Sequence, residues 1–416
     1  MTQKLFTRNF ILLILGQITS LFGNFILKLA LSMYVLEVTG SAAVFAGILS
    51  VATVPSILFS PLGGILADRG NRRNIMVALD TLSGVSVLCA VLVLSNENDL
   101  AVIGTLLVLL AVLGAFETPT VQACIPTMLQ GDNIMKGNAV VNQVASLSYF
   151  IAPMLGGIFY TMFGLKPVMA ASVICFFITA AFECFIKLNY ERQRHTGSVW
   201  VVIKEDFVSG MRYITKEQAD IAKMLLLTAA SRFFVMGIIV VGLPFIVRTV
   251  LGFSANYYGA AESALAVATI LGSIAAGVLV DKLKIHKLSM VLAALGVLLL
   301  PAALAFLAPV GSLVKYCILV SSLCGMQIAI SIFSIFAVSL IQQRTPNHLI
   351  GKVMAYTSAL TMCAQPAGQI VYGFLFDKMK YNTSLIFLPT ALIVCGIGLF
   401  AGGFFRKLER ETACKM

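Results

Sequence analysis

Twelve apolar runs, each long enough to cross a lipid bilayer, follow one another along this chain with short connections between them. A spanning helix needs about 20 apolar residues, and inside the bilayer a backbone must satisfy its hydrogen bonds in a helix or a closed barrel. We therefore predict an all-α membrane protein with twelve transmembrane helices. The runs lie at residues 9–36, 42–67, 73–95, 100–128, 137–163, 166–188, 222–248, 255–281, 288–309, 312–343, 349–377 and 382–406.

The composition supports this prediction and argues against other classes. Only 11% of the 416 residues are charged, whereas soluble domains carry about 25%. The net charge of +11 comes from basic residues in the turns between apolar runs, which is typical of membrane topology rather than of a nucleic-acid surface. The nine cysteines have no metal-ligand spacing. With no histidine-rich metal cluster and no nucleophile–base pair in the sequence, we expect no enzyme activity, cofactor, metal or nucleic-acid partner. The sequence also has no phosphate loop, which argues against ATP-driven transport by this chain alone.

The basic residues also orient the helices. Most lysines and arginines fall on the side that holds both termini and the long connection at 189–221, and positive charge is retained in the cytoplasm. The first apolar run is too long for a signal-peptide core, so we expect no cleavage. Within the connection, the segment 198–213 has apolar residues near a helical spacing. It predicts an amphipathic helix on the membrane surface, the alternative being a solvated linker.

The chain repeats itself in two halves. Gly64–Asp68 matches Gly277–Asp281 at an offset of 213 residues, and Asn133–Gly137 matches Asn347–Gly351 at an offset of 214. We predict an N-terminal six-helix half at 1–188, a linker at 189–221 and a C-terminal six-helix half at 222–416. Six spans repeated in parallel place the symmetry axis along the membrane normal. Two such halves can rock about a central site, which favours a transporter.

The charged turn after the second apolar run carries a family resemblance. Gly64, Asp68, Arg69, Arg72 and Arg73 resemble the G-x-x-x-D-R-x-x-R-R loop signature of the major facilitator superfamily. A decayed second copy stands at Gly277, Asp281 and Lys282. Within that superfamily the chain looks most like proton-driven drug exporters that include macrolide-efflux proteins. The stretches that support this similarity are 16–36, 116–119 and 258–263.

The resemblance implies the major facilitator fold and a role for the charged turn. In the family, this loop latches the two halves on the cytoplasmic side when the transporter is open outward. The gating residues would then be Gly64, Asp68, Arg69, Arg72, Arg73 and Asp281. The alternative is that the turn only fixes the topology.

Few ionisable residues lie inside the predicted spans, and such residues are costly unless they face a cavity or a partner. Glu117 and Glu262 are candidates for proton coupling, because burial disfavours the charged form of a carboxyl group. The alternative for each is a structural ion pair or hydrogen bond. Arg232 is a candidate counter-charge or an anchor for an anionic group. Lys28 either faces the cavity or extends outward to the membrane surface.

Polar residues at helical spacing indicate an internal cavity, since such a row must face something other than lipid. Helix 1 carries Gln17, Ser20, Asn24 and Lys28 on one face. The alternative is hydrogen bonding between packed helices. The substrate-cavity candidates are Gln17, Asn24, Lys28, Asn142, Tyr149, Arg232, Tyr356 and Gln365.

Together these features predict a secondary exporter of amphipathic, macrolide-like small molecules, driven by proton antiport through alternating access. We expect a monomer in a bacterial plasma membrane, with a small-molecule substrate, protons as coupling ion and both termini in the cytoplasm. The alternatives on the same fold are an exporter of an endogenous metabolite or siderophore and a proton-coupled importer.

Overall fold

The computed structural model describes residues 5–95, 98–188, 219–279, 282–346, 349–380 and 382–413. This part of the chain is almost entirely helical, with twelve long helices joined mostly by short turns. We number the helices in chain order. They are α1 (Arg8–Thr39), α2 (Ala42–Arg69), α3 (Arg72–Val93), α4 (Asp99–Met128), α5 (Asp132–Phe163), α6 (Leu165–Cys184), α7 (Ala219–Met236, continued to Val250 through two π-helical turns), α8 (Ala255–Leu279), α9 (Leu288–Leu307), α10 (Ser312–Arg344), α11 (Ile350–Lys378) and α12 (Ser384–Ala413).

The predicted all-α membrane fold is confirmed. Eleven helices in the described ranges are long and apolar enough to cross a membrane, and α11, with 29 residues, is the twelfth long helix. Most boundaries agree with the sequence prediction within a few residues. α12 extends furthest beyond its apolar run, because its last turns consist of good helix formers. Lys407 and Glu411 also form an ion pair there at 3.6 Å, one turn apart.

Local signals explain where several helices begin and end. Thr7 caps α1 by accepting a hydrogen bond from the Phe10 amide at 3.3 Å, and Asn71 caps α3 through the Asn74 amide at 3.4 Å. Short polar side chains satisfy the free amides of a helix start. α1 ends at Gly40, whose φ of 59° lies in the left-handed region that glycine adopts at low cost.

The helices form two compact units. The described residues within 1–40, 47–195 and 252–263 form the first unit, and those within 41–46, 196–251 and 264–416 form the second. Each unit therefore combines most of one predicted half with a short piece of the other. The predicted amphipathic helix at 198–213 lies outside the described residues, so the linker at 189–221 stays a prediction.

Small and hydroxylated residues hold the first unit together. Ser172 of α6 donates to the Gly23 carbonyl of α1 at 3.1 Å, and Thr19 and Thr179 share a hydrogen bond of 2.6 Å between the same helices. Ser56 of α2 donates to the Ala111 carbonyl of α4 at 2.9 Å. Such contacts are typical of membrane helices, where small residues permit close packing and hydrogen bonds join neighbours.

The second unit packs a widened helix against aromatic side chains. The π-helical turn Gly237–Gly242 of α7 lies against α11. A β-carbon at Gly242 would lie 2.6 Å from the Phe376 ring, and one at Gly237 would overlap Tyr372. Glycine at both positions is thus required by close approach. α9 and α12 pack in the same way, since a β-carbon at Gly398 would lie 2.6 Å from the Ala293 α-carbon.

The adjacent glycines of α2 have different surroundings. A β-carbon at Gly63 would overlap the backbone of Ala115 in α4, whereas one at Gly64 would meet no atom within 4 Å. We expect Gly63→Ala to destabilise the protein by about 1–3 kcal/mol through overpacking. Gly64→Ala serves as the matched control and should be neutral or stabilising by about 0.5–1 kcal/mol, because alanine favours a helix over glycine.

Thermal unfolding of both variants in detergent measures this difference. The expected result is a lower unfolding temperature for Gly63→Ala alone. Equal unfolding temperatures for the two variants would show that α2 and α4 do not pack closely at Gly63.

Candidate functional site

The polar face of α1 lies inside the first unit and leads to its buried acids. Gln17 is 7% exposed and Ser20 is 1% exposed, while Asn24 is half-buried and Lys28 is exposed. The Gln17 amide nitrogen and the Asn24 carbonyl oxygen are buried without a hydrogen-bond partner among the described residues. The face therefore runs from buried polar groups at Gln17 to an accessible ammonium at Lys28.

Ser20 joins acids from two other helices. Its hydroxyl lies 3.1 Å from Asp80 Oδ1 of α3 and 3.2 Å from Glu117 Oε1 of α4. Lys28 is near enough to Glu117 to attract its carboxylate. The structure thus brings the predicted residues Glu117, Gln17 and Lys28 into one region of the first unit, together with Asp80.

Glu183 of α6 completes this group of acids. It is 1% exposed, as is Asp80, and it interacts electrostatically with both Asp80 and Glu117. Its side chain packs on α1, where a β-carbon at Gly16 would lie 3.7 Å from the Glu183 Cγ. We call Ser20, Asp80, Glu117 and Glu183 the acidic cluster.

The sequence analysis did not select Asp80 or Glu183 as site residues. Both lie inside apolar runs, so the signal of an acid within a predicted span was present. Asp80 stands eight residues after the start of α3 and Glu183 one residue before the end of α6, close to the charged turns. A position near a span end favours a surface role, and only the packing of α1 over these residues buries them.

Glu262, the other predicted coupling residue, has its own contacts outside the acidic cluster. It is half-buried and accepts a hydrogen bond of 3.0 Å from Tyr258 on the preceding turn of α8. The next residue, Ser263, donates to the Phe150 carbonyl of α5 at 2.7 Å. Tyr149 interacts electrostatically with Tyr258. These residues all belong to the first unit.

The other cavity candidates are distributed over both units. In the first unit, Asn142 is exposed and Tyr149 is half-exposed, with its ring edge-on to Phe25 at 5.1 Å between centroids. In the second unit, three candidates are half-buried on α7 and α11: Arg232, Tyr356 and Gln365.

The structure describes only some of the predicted gating residues. Arg72 Nε donates to the Ala67 carbonyl at 2.9 Å, and so satisfies a free acceptor at the end of α2. Arg73 donates to the Cys184 carbonyl at the end of α6. The side chains of Asp68 and Arg69, and the whole of Asp281, lie outside the described residues.

A contact that the sequence analysis missed occurs in the second unit. Asp377, near the end of α11, accepts hydrogen bonds from the Ala42 amide at 2.6 Å and the Ala43 amide at 3.2 Å. The Ser41 hydroxyl also donates to this carboxylate. Asp377 therefore caps the start of α2, where a negative charge is favoured. An acid at the end of an apolar run was its only sequence signal.

No group of histidine, cysteine and acid side chains suited to a metal occurs within the described ranges. The site consists of polar and acidic groups buried in membrane-spanning helices. This fold and site define a membrane transporter.

Comparison with known proteins identifies the family. The sequence profile of the Major Facilitator Superfamily matches residues 13–368, and the chain belongs to this superfamily. It is 22% identical to macrolide efflux protein A of Streptococcus pyogenes over 91% of this chain and 92% of that protein. It is 24% identical to the multidrug efflux pump Tap of Mycolicibacterium fortuitum over 93% and 94% of the two chains.

Solved structures agree with this assignment of the fold. A bacterial homologue of the iron transporter ferroportin, in its inward-facing state, has a TM-score of 0.73 at 16% identity and covers 95% of this chain and 98% of its own. A D-xylose–proton symporter has a TM-score of 0.71 at 14% identity, with 95% and 96% covered. These likenesses concern the fold, and the superfamily match makes the chain a multi-pass membrane transporter.

The cap at Asp377 yields a stability prediction. We expect Asp377→Ala to destabilise the protein by about 1–2 kcal/mol, as the loss of other helix caps does. Asp377→Asn should be milder, because its amide retains one acceptor oxygen. Thermal unfolding in detergent measures both variants, and an unchanged midpoint for Asp377→Ala would contradict the cap.

Proposed function

We propose that this transporter exports amphipathic, macrolide-like small molecules in exchange for protons. The substrate class is supported by the relatives named as macrolide and multidrug efflux proteins, which align over more than nine-tenths of this chain. By this proposal, the chain shares the efflux direction and the substrate type in the names of these relatives, to which it is 22–24% identical.

The proposal of proton coupling rests on the position of Glu117. It is a half-buried acid within a membrane-spanning helix, beside the Ser20 hydroxyl and near the Lys28 ammonium. A carboxyl group that can change its charge inside the membrane is suited to carrying a proton. We propose that Glu117 and Glu262 take up protons and that the polar residues around them contact the substrate.

Alternating access would link these two events. In one orientation the acids would take up protons as substrate leaves, and in the other they would release protons as new substrate binds. The charged turn from Gly64 to Arg73 would latch the cytoplasmic side of the outward-open form. Both termini would lie in the cytoplasm, as the basic residues predict.

The energy available from one proton is adequate for export. A charge crossing the membrane gains about 2.3 kcal/mol per 100 mV, and a tenfold concentration ratio costs about 1.4 kcal/mol. One proton per cycle at 100 mV would therefore sustain about a forty-fold substrate gradient, before any pH difference is added.

Transport in proteoliposomes tests the proposal. An imposed pH gradient should drive uptake of a macrolide or an amphipathic dye by the wild-type protein. If it moves none of a panel of such compounds, the proposal of drug–proton antiport is wrong. Movement of a siderophore alone, or of substrate in the same direction as protons, would instead support the alternative transporters on this fold.

Glutamine substitutions test the coupling residues. We expect Glu117→Gln and Glu262→Gln each to reduce pH-driven transport by about tenfold or more, since a group essential to proton transfer typically contributes 10²–10⁴-fold. Substrate exchange at equal pH should persist, because exchange needs no net proton movement. Asp99→Asn is the control, since it removes another buried acid, which accepts a hydrogen bond from Tyr34. Full pH-driven transport in both glutamine variants would remove this assignment.

A further inference from the structure

The position of Ser20 between two acids points to a bound proton. Its hydroxyl is 3.1 Å from Asp80 Oδ1 and 3.2 Å from Glu117 Oε1. A hydroxyl has one hydrogen and donates to one acceptor at a time. Both contacts are hydrogen bonds together only when one acid is protonated and donates to the serine oxygen. The geometry of Ser20 thus fits a cluster that holds a proton.

Unpartnered atoms around Ser20 support the same conclusion. Asp80 Oδ2 and both carboxyl oxygens of Glu183 are buried and accept no hydrogen bond from a serine, amide or basic group among the described residues. The two carboxyl groups are instead close enough to hydrogen-bond to each other, which requires a proton on one of them. The amide nitrogen of Gln17, one turn before Ser20 on the same face of α1, is also buried without a partner in this part of the chain. If both acids were ionised, buried oxygens would lack hydrogen-bond donors and two like charges would lie together, which is costly.

Charged groups near Asp80 and Glu183 come from the helices packed on them. α4 contributes the acid Glu117, which interacts with both, and Arg72 and Arg73 stand at the start of α3. α1 contributes Lys28, which interacts with Glu117. Arg73 donates to the carbonyl of Cys184, next to Glu183, and its Nε is buried without a partner among the described residues. Arg73 therefore holds the end of α6, one residue after Glu183 in the chain.

The three acids of the acidic cluster lie at different distances from the ends of their own helices. With a rise of about 1.5 Å per residue, Glu117 is about 16 Å from the end of α4 and Asp80 about 12 Å from the start of α3. Glu183 lies in the last turn of α6. These three helix ends are on the side that the basic residues predict to be cytoplasmic. Glu183 is thus the member of the cluster nearest the end of its own helix on that side.

We propose that Asp80 and Glu183 form a proton relay that carries protons from Glu117, through Ser20, to the cytoplasmic end of α6. The relay adds a proton path to the proposed antiport, and the direction in which protons move along it rests on that proposed function. It assigns to Asp80 and Glu183 a release path for the proton. The path is formed by the helices of the first unit alone.

Each transfer conserves protons and charge. The protonated Glu117 gives its proton to Ser20 Oγ while the Ser20 hydroxyl gives its own proton to the Asp80 carboxylate. Glu117 becomes the carboxylate, Asp80 becomes the acid, and Ser20 is unchanged. Asp80 then passes the proton to the Glu183 carboxylate and becomes a carboxylate again, and Glu183 releases the proton to cytoplasmic water at the end of α6 and returns to its ionised form.

Infrared spectroscopy tests the proton site without any substrate. Protonated carboxyl groups have a C=O stretching band that ionised ones lack. We expect the purified wild-type protein to show a band that disappears on raising the pH, and expect Asp80→Asn and Glu183→Gln each to lose part of it. The control Asp99→Asn removes a buried acid outside the cluster and should leave this component intact. A titrating band that neither cluster variant changes would overturn the relay.

Transport measurements test the path. We expect Asp80→Asn and Glu183→Gln to lose pH-driven transport in proteoliposomes and to retain substrate exchange at equal pH. Ser20→Ala should keep the carboxyl band and slow pH-driven transport by about fivefold, the equivalent of one hydrogen bond. Unfolding temperatures of all variants identify any that fail to fold, and Ser20→Ala then tests the path by itself, since it removes only one oxygen atom.

The outcomes separate the relay from the proposed function. If the wild-type protein moves no compound under a pH gradient, antiport is wrong, while the infrared band still decides whether Asp80 and Glu183 hold a proton. If the wild type is driven by pH and the Asp80 and Glu183 variants equal it, the relay alone is wrong. Transport driven by a sodium gradient, with no titrating carboxyl band, would also overturn the relay.

Discussion

Close packing between membrane helices is the constraint on which the rest of this structure depends. Lipid is as apolar as a leucine side chain, so helices gain little from hydrophobic contact and associate through small residues and hydrogen bonds. In the first unit, Gly16 and Gly23 bring α6 onto α1, where Thr19 and Thr179 share a hydrogen bond. This contact also covers Glu183. The packing that joins the helices is therefore the same packing that buries the acids.

Burial is what would suit these acids to the proposed proton coupling. A carboxyl group that remains in water keeps its charge and its hydration, and its protonation then does not depend on the conformation of the protein. Asp80 and Glu183 are almost fully buried, so any movement of α1 away from α3 and α6 would expose them to water. In the proposed antiport, protonation and helix movement would thus be linked through one interface, as ion coupling requires.

Much of the fold was predictable from the sequence, for a physical reason. The bilayer requires spans of a fixed length with satisfied backbones, so twelve apolar runs predict twelve helices with nearly correct bounds. Boundaries were less predictable where polar residues continue a helix beyond the apolar run, as at the start of α5 and the end of α12. Grouping of the helices was less predictable still, because residues 41–46 join the second compact unit and 252–263 join the first.

The sequence by itself determined the membrane class, the helix count and the family, because these follow from run length, charge placement and a local motif. It also selected Glu117 as a candidate site residue, since an acid in the middle of an apolar run must face a cavity or a partner. Only the tertiary structure decided that Ser20 connects Glu117 with Asp80 and that Glu183 lies beside them. It also decided which of two adjacent glycines, Gly63 and Gly64, packs against a neighbouring helix. These outcomes depend on which faces of separate helices meet, and no local pattern in the sequence contains that information.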